Sequence, residues 1–201
     1  MENELTAQDK QQIEEGIRGK YAKVAVSPEG QFRYSTGRAG LEALGYDPYL
    51  IRVLPESVTA AYCGVGNPFT LGPIHPGDIV LDIGCGAGVD SIFAAVMAGQ
   101  SGKVTGIDLV PEMLERAKEN ARLSAFNINF LEGSAEDLRF SDNTFDVVIS
   151  NGVFNLVVDK VKALSEVYRV LKPGGRLMLA DQILAGELPK ETQARIENWA
   201  R

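Results

Sequence analysis

Two cysteines and one histidine are present in 201 residues, and neither Cys63 nor Cys85 belongs to a CxxC pair. A zinc site built from Cys and His lacks its ligands, so no metal is expected. So low a cysteine count fits a reducing compartment. No apolar run approaches the roughly 18 residues of a membrane span. The opening MENELTAQDKQQ is polar and acidic, without the apolar stretch of a signal peptide. The expected location is therefore cytoplasmic, with no membrane partner. Lys and Arg number 20 against 27 Asp and Glu, a formal net charge of −7. Affinity for phosphates comes from clustered Lys and Arg. No nucleic-acid partner is expected.

What remains is an ordinary globular composition, 45% hydrophobic and 23% charged. A chain of this length can bury roughly 70% of its unfolded surface. Residues 1–72 read as helices and loops. Thr6, with Asp9 three residues on, offers a helix cap. SPEGQFRYSTGRAG (27–40) reads as a loop, and DPYLIRVLPESVTAAYCG as a helix broken at Pro55. From Pro73 the pattern alternates. The runs IVLDI, KVTGID, INFLEG, FDVVISN and RLMLAD read as strands, with helical segments between them. In one such helix Met113, Leu114, Ala117 and Ala121 mark an apolar face. In the next, Val161, Leu164, Val167, Tyr168 and Leu171 form the expected stripe, followed by a KPGG turn. The last segment, LPKETQARIENWAR, reads as a polar helix. Strands alternating with helices predict an α/β fold, a parallel sheet with helices on both faces. A ligand is then expected at the carboxyl ends of the strands.

VLDIGCGAGVD (80–90) places Gly84, Gly86 and Gly88 on a strand-to-helix turn. Such a turn is either a tight corner or a cradle for a ligand. Asp108 ends the next strand, 20 residues beyond Gly88, where a carboxylate can accept both hydroxyls of a ribose. GSAEDL places Glu136 and Asp137 where an adenine edge could be read. Asp82, at the first strand's end, suits a ligand bearing an amine or a sulfonium better than a diphosphate. Val89 stands where a dinucleotide motif wants its third glycine, which disfavours a nicotinamide-dependent oxidoreductase.

The blocks VLDIGCGAG, GIDLVPEML, GSAEDL, FDVVISN and RVLKPGGRLMLAD, over residues 73–183, resemble the class I S-adenosylmethionine-dependent methyltransferases. The resemblance implies a Rossmann-like domain over 73–201. Residues 1–72 would supply a helical lid and the acceptor side of one structural unit. It implies S-adenosylmethionine as cofactor, S-adenosylhomocysteine as product and a small-molecule acceptor. Gly84 and Gly86 would approach the methionine portion, with Asp82 near its amino group. Asp108 would hold the ribose, Leu109 would pack on the adenine, and Ala135 and Glu136 would contact its edge. Asn151 would sit near the methionine and the acceptor. Cys85 reads as a packed residue, His75 as a surface turn residue and Phe154 as core.

SNGVFNLVVDKVKALSEVYRVLKPGG is similar to the arsenite methyltransferase branch, as are the GVGNP turn and YAKVA, whose Tyr21 would be a lid residue. That branch holds trivalent arsenic with thiolates. Here Gly152 and Val65 stand at two of its cysteine positions, and a third would fall just past Arg201. Arsenite methylation is therefore not the expected activity, although it stays as an alternative beside a non-catalytic cofactor-binding module. Candidates for a catalytic side chain are Tyr21, Tyr34, Asn155 and Asp181. The family sheet has seven strands and only five can be counted here. A truncated sheet is expected, with RLMLAD as an edge open to a second copy.

Overall fold

A computed structural model describes residues 5–183 together with Gly186, Ile196 and Trp199. The expected polar helix over 188–201 lies outside the described residues except for Ile196 and Trp199. Thr6 caps helix α1 (Ala7–Val26) as expected. Its hydroxyl accepts from the Asp9 N–H at 3.2 Å, and the Asp9 carboxylate accepts from the Thr6 N–H at 2.8 Å. Three short helices follow, α2 (Gly37–Ala43), α3 (Pro48–Val53) and α4 (Glu56–Thr59), then a 3₁₀ turn at Pro68–Leu71. The loop expected through Gly40 ends at Thr36, where α2 begins. Pro55 separates α3 from α4 because proline has no N–H to continue the ladder.

The sheet is parallel throughout. Its strands are β1 (Ile79–Ile83), β2 (Lys103–Asp108), β3 (Asn129–Glu132), β4 (Phe145–Asn151) and β5 (Leu171–Ala180). They lie side by side in the order β3-β2-β1-β4-β5. The chain winds outward from β1 in one direction and from β4 in the other, so the order reverses between these two strands. That reversal leaves a crevice beyond their carboxyl ends. Among the described residues the sheet has these five strands, and β5 pairs with β4 alone.

Alternate strand residues face opposite layers. Val80, Val147 and Ile149 pack with Ala94 and Ala98 of helix α5 (Val89–Ala98). Leu81, Ile83 and Val148 pack with Ala163, Val167 and Val170 of helix α7 (Lys160–Val170). Helix α6 (Pro111–Leu123) buries Met113, Leu114, Ala117 and Ala121, the face read from the sequence. The α7 stripe is corrected in part, because Val167 is buried as expected but the rest of the stripe within the helix is not. Val161, Leu164 and Tyr168 are 76%, 44% and 84% exposed. The helix has two apolar faces and turns the smaller one, at i, i+4 and i+7, onto the sheet. KPGG is a second correction, because it lies inside β5. The register there slips between Phe145 and Val147, so these residues bulge while the strand continues.

The described residues up to 72 share their core with the sheet domain. Leu41, Tyr46, Ile51, Val58 and Tyr62 cluster with Val89, Ile92 and Phe93 of α5. Gly88 sits where α6 and β3 leave no room, with φ +79° and with a built β-carbon 3.0 Å from both Ala117 Cβ of α6 and Phe130 Cζ of β3. Gly88→Ala is expected to cost about 1–3 kcal/mol through the left-handed backbone and the crowding. A lower urea midpoint at unchanged m-value is the expected reading. A midpoint equal to the parent's would contradict this packing.

Candidate functional site

The loop after β1 reaches its conformation through glycine. Gly84, Gly86 and Gly88 all have positive φ, which L side chains rarely adopt. A β-carbon on Gly84 would lie 2.2 Å from Val153 Cγ2, so the residues after β4 close over the loop. Gly86 is the opposite case, with nothing within 4 Å of a built β-carbon. Its open face is the floor of a cleft. The Gly86 N–H donates to Asp108 Oδ2 at 2.8 Å, and the Val110 N–H donates to Oδ1 at 2.9 Å. Asp108 thus anchors the loop and still has lone pairs on both oxygens for a ligand. Burial raises its pKa, and these backbone bonds oppose that shift.

The cleft has about 890 Å³ of empty space, including the part open to solvent. Gly84, Gly86, Asp108, Leu109, Ala135, Glu136 and Asn151 all line it, as does Tyr21. Helix α1 forms one wall through Glu14, Ile17 and Tyr21. Arg18 ties that helix down by donating to the Leu109 carbonyl and pairing with Glu132. Ile196 packs on Ile13 and Ile17, and the Trp199 indole N–H donates to the Leu156 carbonyl at 2.8 Å. The opposite wall is fixed by Glu136, whose Oε1 accepts from the Val158 and Asp159 N–H groups at 3.1 and 3.0 Å. Tyr34 and Asn155 line neither this cleft nor the hollow beside it. The Tyr34 hydroxyl donates to the Cys63 carbonyl at 3.0 Å, and the Asn155 N–H donates to Asp181 at 3.0 Å. His75 is exposed, whereas Cys85 and Phe154 are buried.

Asp82 lies in a smaller hollow that continues the cleft, with Asp90, Tyr62 and Asn151. Asp90 and the tyrosines are functional candidates that the sequence reading missed. Their signal was an aspartate opening an otherwise apolar helix, VDSIFAAVMA. Burial and the neighbouring Asp90 push the Asp82 carboxyl up to about 8, against the donated Ser91 hydroxyl bond at 2.5 Å. Burial pushes Asp90 to about 6, opposed by bonds from Asn151 at 2.9 Å and Tyr46 at 2.8 Å. Burial pushes the Cys63 thiol up to about 12, and Tyr21, Tyr46 and Tyr62 well above their ordinary value. None of these hydroxyls or thiols is ionised near neutral pH.

An apolar slot beside Leu109 and Ala135, a carboxylate with free lone pairs, an open glycine floor and two buried carboxylates fit an adenosyl sulfonium amino acid. Asp82 also gives a test of the electrostatics without any ligand. Its native pKa of about 8 lies above an unfolded value near 3.9. The folded state therefore keeps a proton that the unfolded chain has released, and stability falls as pH rises through that window. Asp82→Asn removes this slope. Melting curves are expected to show the variant gaining on the parent between about pH 5 and about pH 8.5, and parallel curves would contradict the assignment.

A sequence family described as a methyltransferase domain matches residues 74–201. An arsenite methyltransferase of Halobacterium salinarum is 34% identical over 207 residues, covering 96% of this chain and 53% of the relative. A demethylmenaquinone methyltransferase of Symbiobacterium thermophilum is 41% identical over 106 residues, covering 52% of this chain and 42% of the relative. Among solved structures, an arsenic(III) S-adenosylmethionine methyltransferase from Chlamydomonas reinhardtii is similar with a TM-score of 0.61 and 38% identity, covering 68% of this chain and 50% of that one. The chain spans about half the length of the curated relatives it matches. With its parallel sheet and glycine-floored cleft, it belongs to the class I S-adenosylmethionine-dependent methyltransferases, close to the arsenite methyltransferases.

Proposed function

We propose that this protein transfers a methyl group from S-adenosylmethionine to a small-molecule acceptor that meets the cofactor beside Cys63, Asn151 and Gly152. The observation that carries this reading is the continuity of the cleft. The same open space is lined by Asp108 and Ala135 and also by Cys63, Asn151 and Gly152. Asp108 would hold the ribose, Leu109 the adenine face and Ala135 and Glu136 its edge. The bound cofactor supplies a methyl group on a positively charged sulfur, a leaving group that needs no acid. The acceptor's lone pair would form the new carbon bond, and the electrons of the broken carbon–sulfur bond would stay on sulfur. Tyr21 and Cys63 are protonated at neutral pH, so neither serves as a base there. The acceptor must bring its own lone pair or lose its proton to solvent. The protein's share of the rate is then positioning. Helix α1 and the residues after β4 would exclude water around the reacting atoms.

Arsenite as acceptor is the second reading, favoured by the names of the relatives. The positions where that branch carries thiols are close in space here, since a β-carbon on Gly152 would lie 3.2 Å from Val65 Cγ1. This proximity fits a pair of metalloid ligands in the branch. The present chain puts an apolar contact there, which leaves Cys63, protonated, as the one thiol lining the cleft. A quinone-like carbon acceptor, suggested by the name of the demethylmenaquinone relative, makes no demand on thiols.

Asp108→Ala is expected to weaken S-adenosylmethionine binding at least about tenfold, from the loss of charge-assisted bonds of roughly 1.5–3 kcal/mol. Calorimetry showing unchanged affinity would overturn the ribose assignment. In a transfer screen with methyl-labelled cofactor, arsenite is expected to stay unmethylated while a carbon, nitrogen, oxygen or sulfur acceptor takes label. Robust formation of methylarsenicals would refute the argument from Val65 and Gly152, and the Cys63→Ser variant would then show whether that thiol is responsible. Cofactor binding with no transfer to any acceptor would favour a non-catalytic module.

A further inference from the structure

Tyr21 and Cys63 line the cleft, and a second set of side chains lies behind them. The Tyr34 hydroxyl donates to the Cys63 carbonyl at 3.0 Å. The Phe32 ring stands 5.0 Å from that of Tyr34 and 6.3 Å from that of Tyr21, tilted by 31° and 52°. All three rings are half-buried, so part of each stays open. Lys20 Nζ lies over this group, 4.8 Å from the Phe32 centroid and 5.7 Å from that of Tyr21. Arg18, two residues earlier, is committed to the Leu109 carbonyl and Glu132. Lys20 is engaged within the chain as well, but an ammonium has three N–H donors and takes further acceptors. The corner therefore joins flat apolar faces to a positive charge where Tyr21 and Cys63 open into the cleft. That combination selects a flat ring bearing negative charge.

We propose that this corner is the acceptor's subsite, and that the acceptor is an aromatic compound with an acidic hydroxyl, held as its anion by Lys20 against Phe32 and Tyr21. This rests on the reading that an acceptor meets the cofactor beside Cys63, and it narrows that acceptor to a phenol. Tyr21, Tyr34 and Cys63 keep their protons at neutral pH, so none of them is a base here. An ammonium beside the acceptor's hydroxyl lowers the hydroxyl's pKa, and its proton leaves to solvent on binding. The phenolate oxygen then forms the bond to the methyl carbon, and the electrons of the broken carbon–sulfur bond stay on sulfur. The products are an aryl methyl ether and S-adenosylhomocysteine, with one proton released. Burial lowers the pKa of Lys20, and Cys63 opposes that shift. Asp108 and Asp90 act on Cys63, and Asp108 and Asp181 act on Tyr21. These carboxylates oppose an anion, and the sulfonium of the bound cofactor offsets them. They are common to every arm of the test below.

The test uses the whole chain loaded with S-adenosylhomocysteine, with para-nitrophenol and para-nitroaniline as probes. The phenol changes its absorption on ionising, so its protonation is read without turnover. Bound para-nitrophenol should ionise about one pH unit below its value in solution. Above that pH it should bind at least about fivefold more tightly than para-nitroaniline, which has the same shape and no charge. Lys20→Met should remove the shift and weaken the phenolate at least about fivefold, with para-nitroaniline changed less than about twofold. Lys20→Arg should keep the shift, and Phe32→Leu should weaken both probes. With methyl-labelled cofactor, label should enter phenols and not anilines. An unshifted ionisation, a shift that survives Lys20→Met, or equal binding of the two probes would overturn the proposal. If Lys20→Met does not fold, the comparison of probes on the unsubstituted chain decides. Label reaching only amines or a metalloid leaves the methyltransferase reading standing and overturns this inference alone. Failure of the unsubstituted chain to bind S-adenosylhomocysteine is a different result, because it removes the cofactor reading and this proposal with it.

Discussion

The carboxamide of Asn151 holds together three parts of the chain that are far apart in sequence. Its Oδ1 accepts from the N–H groups of Val65 and Gly66 at 2.9 and 3.1 Å. Its Nδ2 donates to the Gly66 carbonyl at 2.8 Å and to Asp90 at 2.9 Å, with the Tyr46 and Tyr62 hydroxyls at 3.1 and 3.2 Å. The N-terminal segment, helix α5 and strand β4 meet at this one side chain. An amide with both donors and acceptors is needed here, since the groups it satisfies sit in a low-dielectric pocket where an unpaired donor or acceptor is expensive. The tyrosine ring of residue 46 packs on Tyr62, Phe69 and Phe93, which links the polar knot to the apolar core around it.

That knot also sets the geometry of the cleft. Asn151 ends β4 on the side where the strand order reverses, next to the loop that leaves β1. The glycine loop can lie flat because Val153 covers Gly84 and because Asp108 accepts from the Gly86 N–H. The turn bearing Val65 and the turn at Gly152 are pressed together by the same amide. The glycine floor of the cleft and the wall at Val65 and Gly152 therefore share one set of supports.

The sheet was legible in the sequence because its strands are short β-branched runs bounded by turns. IVLDI, KVTGID and FDVVISN coincide with β1, β2 and β4. Gly84, Gly86 and Asp108 were expected together because of their spacing after two strands, and the structure brings them to the lining of one cleft. The α7 face was misread because Val161, Leu164 and Tyr168 are as apolar as the Ala163, Val167 and Val170 face that packs. Periodicity alone does not say which of two stripes meets the sheet. The KPGG bulge was misread because Pro and Gly mark turns locally, whereas here the flanking pairing with β4 holds the strand together. Asp90, Tyr46 and Tyr62 were missed for a different reason. Their role comes from contacts across 44 and 61 residues of sequence, which no local pattern carries.

The space between β1, β2, β4 and helix α1 is the S-adenosylmethionine site proposed above. Backbone amide resonances read this directly during titration with S-adenosylhomocysteine. The largest shifts are expected on Gly84, Gly86, Asp108, Leu109, Ala135 and Asn151, residues drawn from four separate stretches of chain around one cleft. Shifts centred on another surface, or no shifts at saturating ligand, would contradict it.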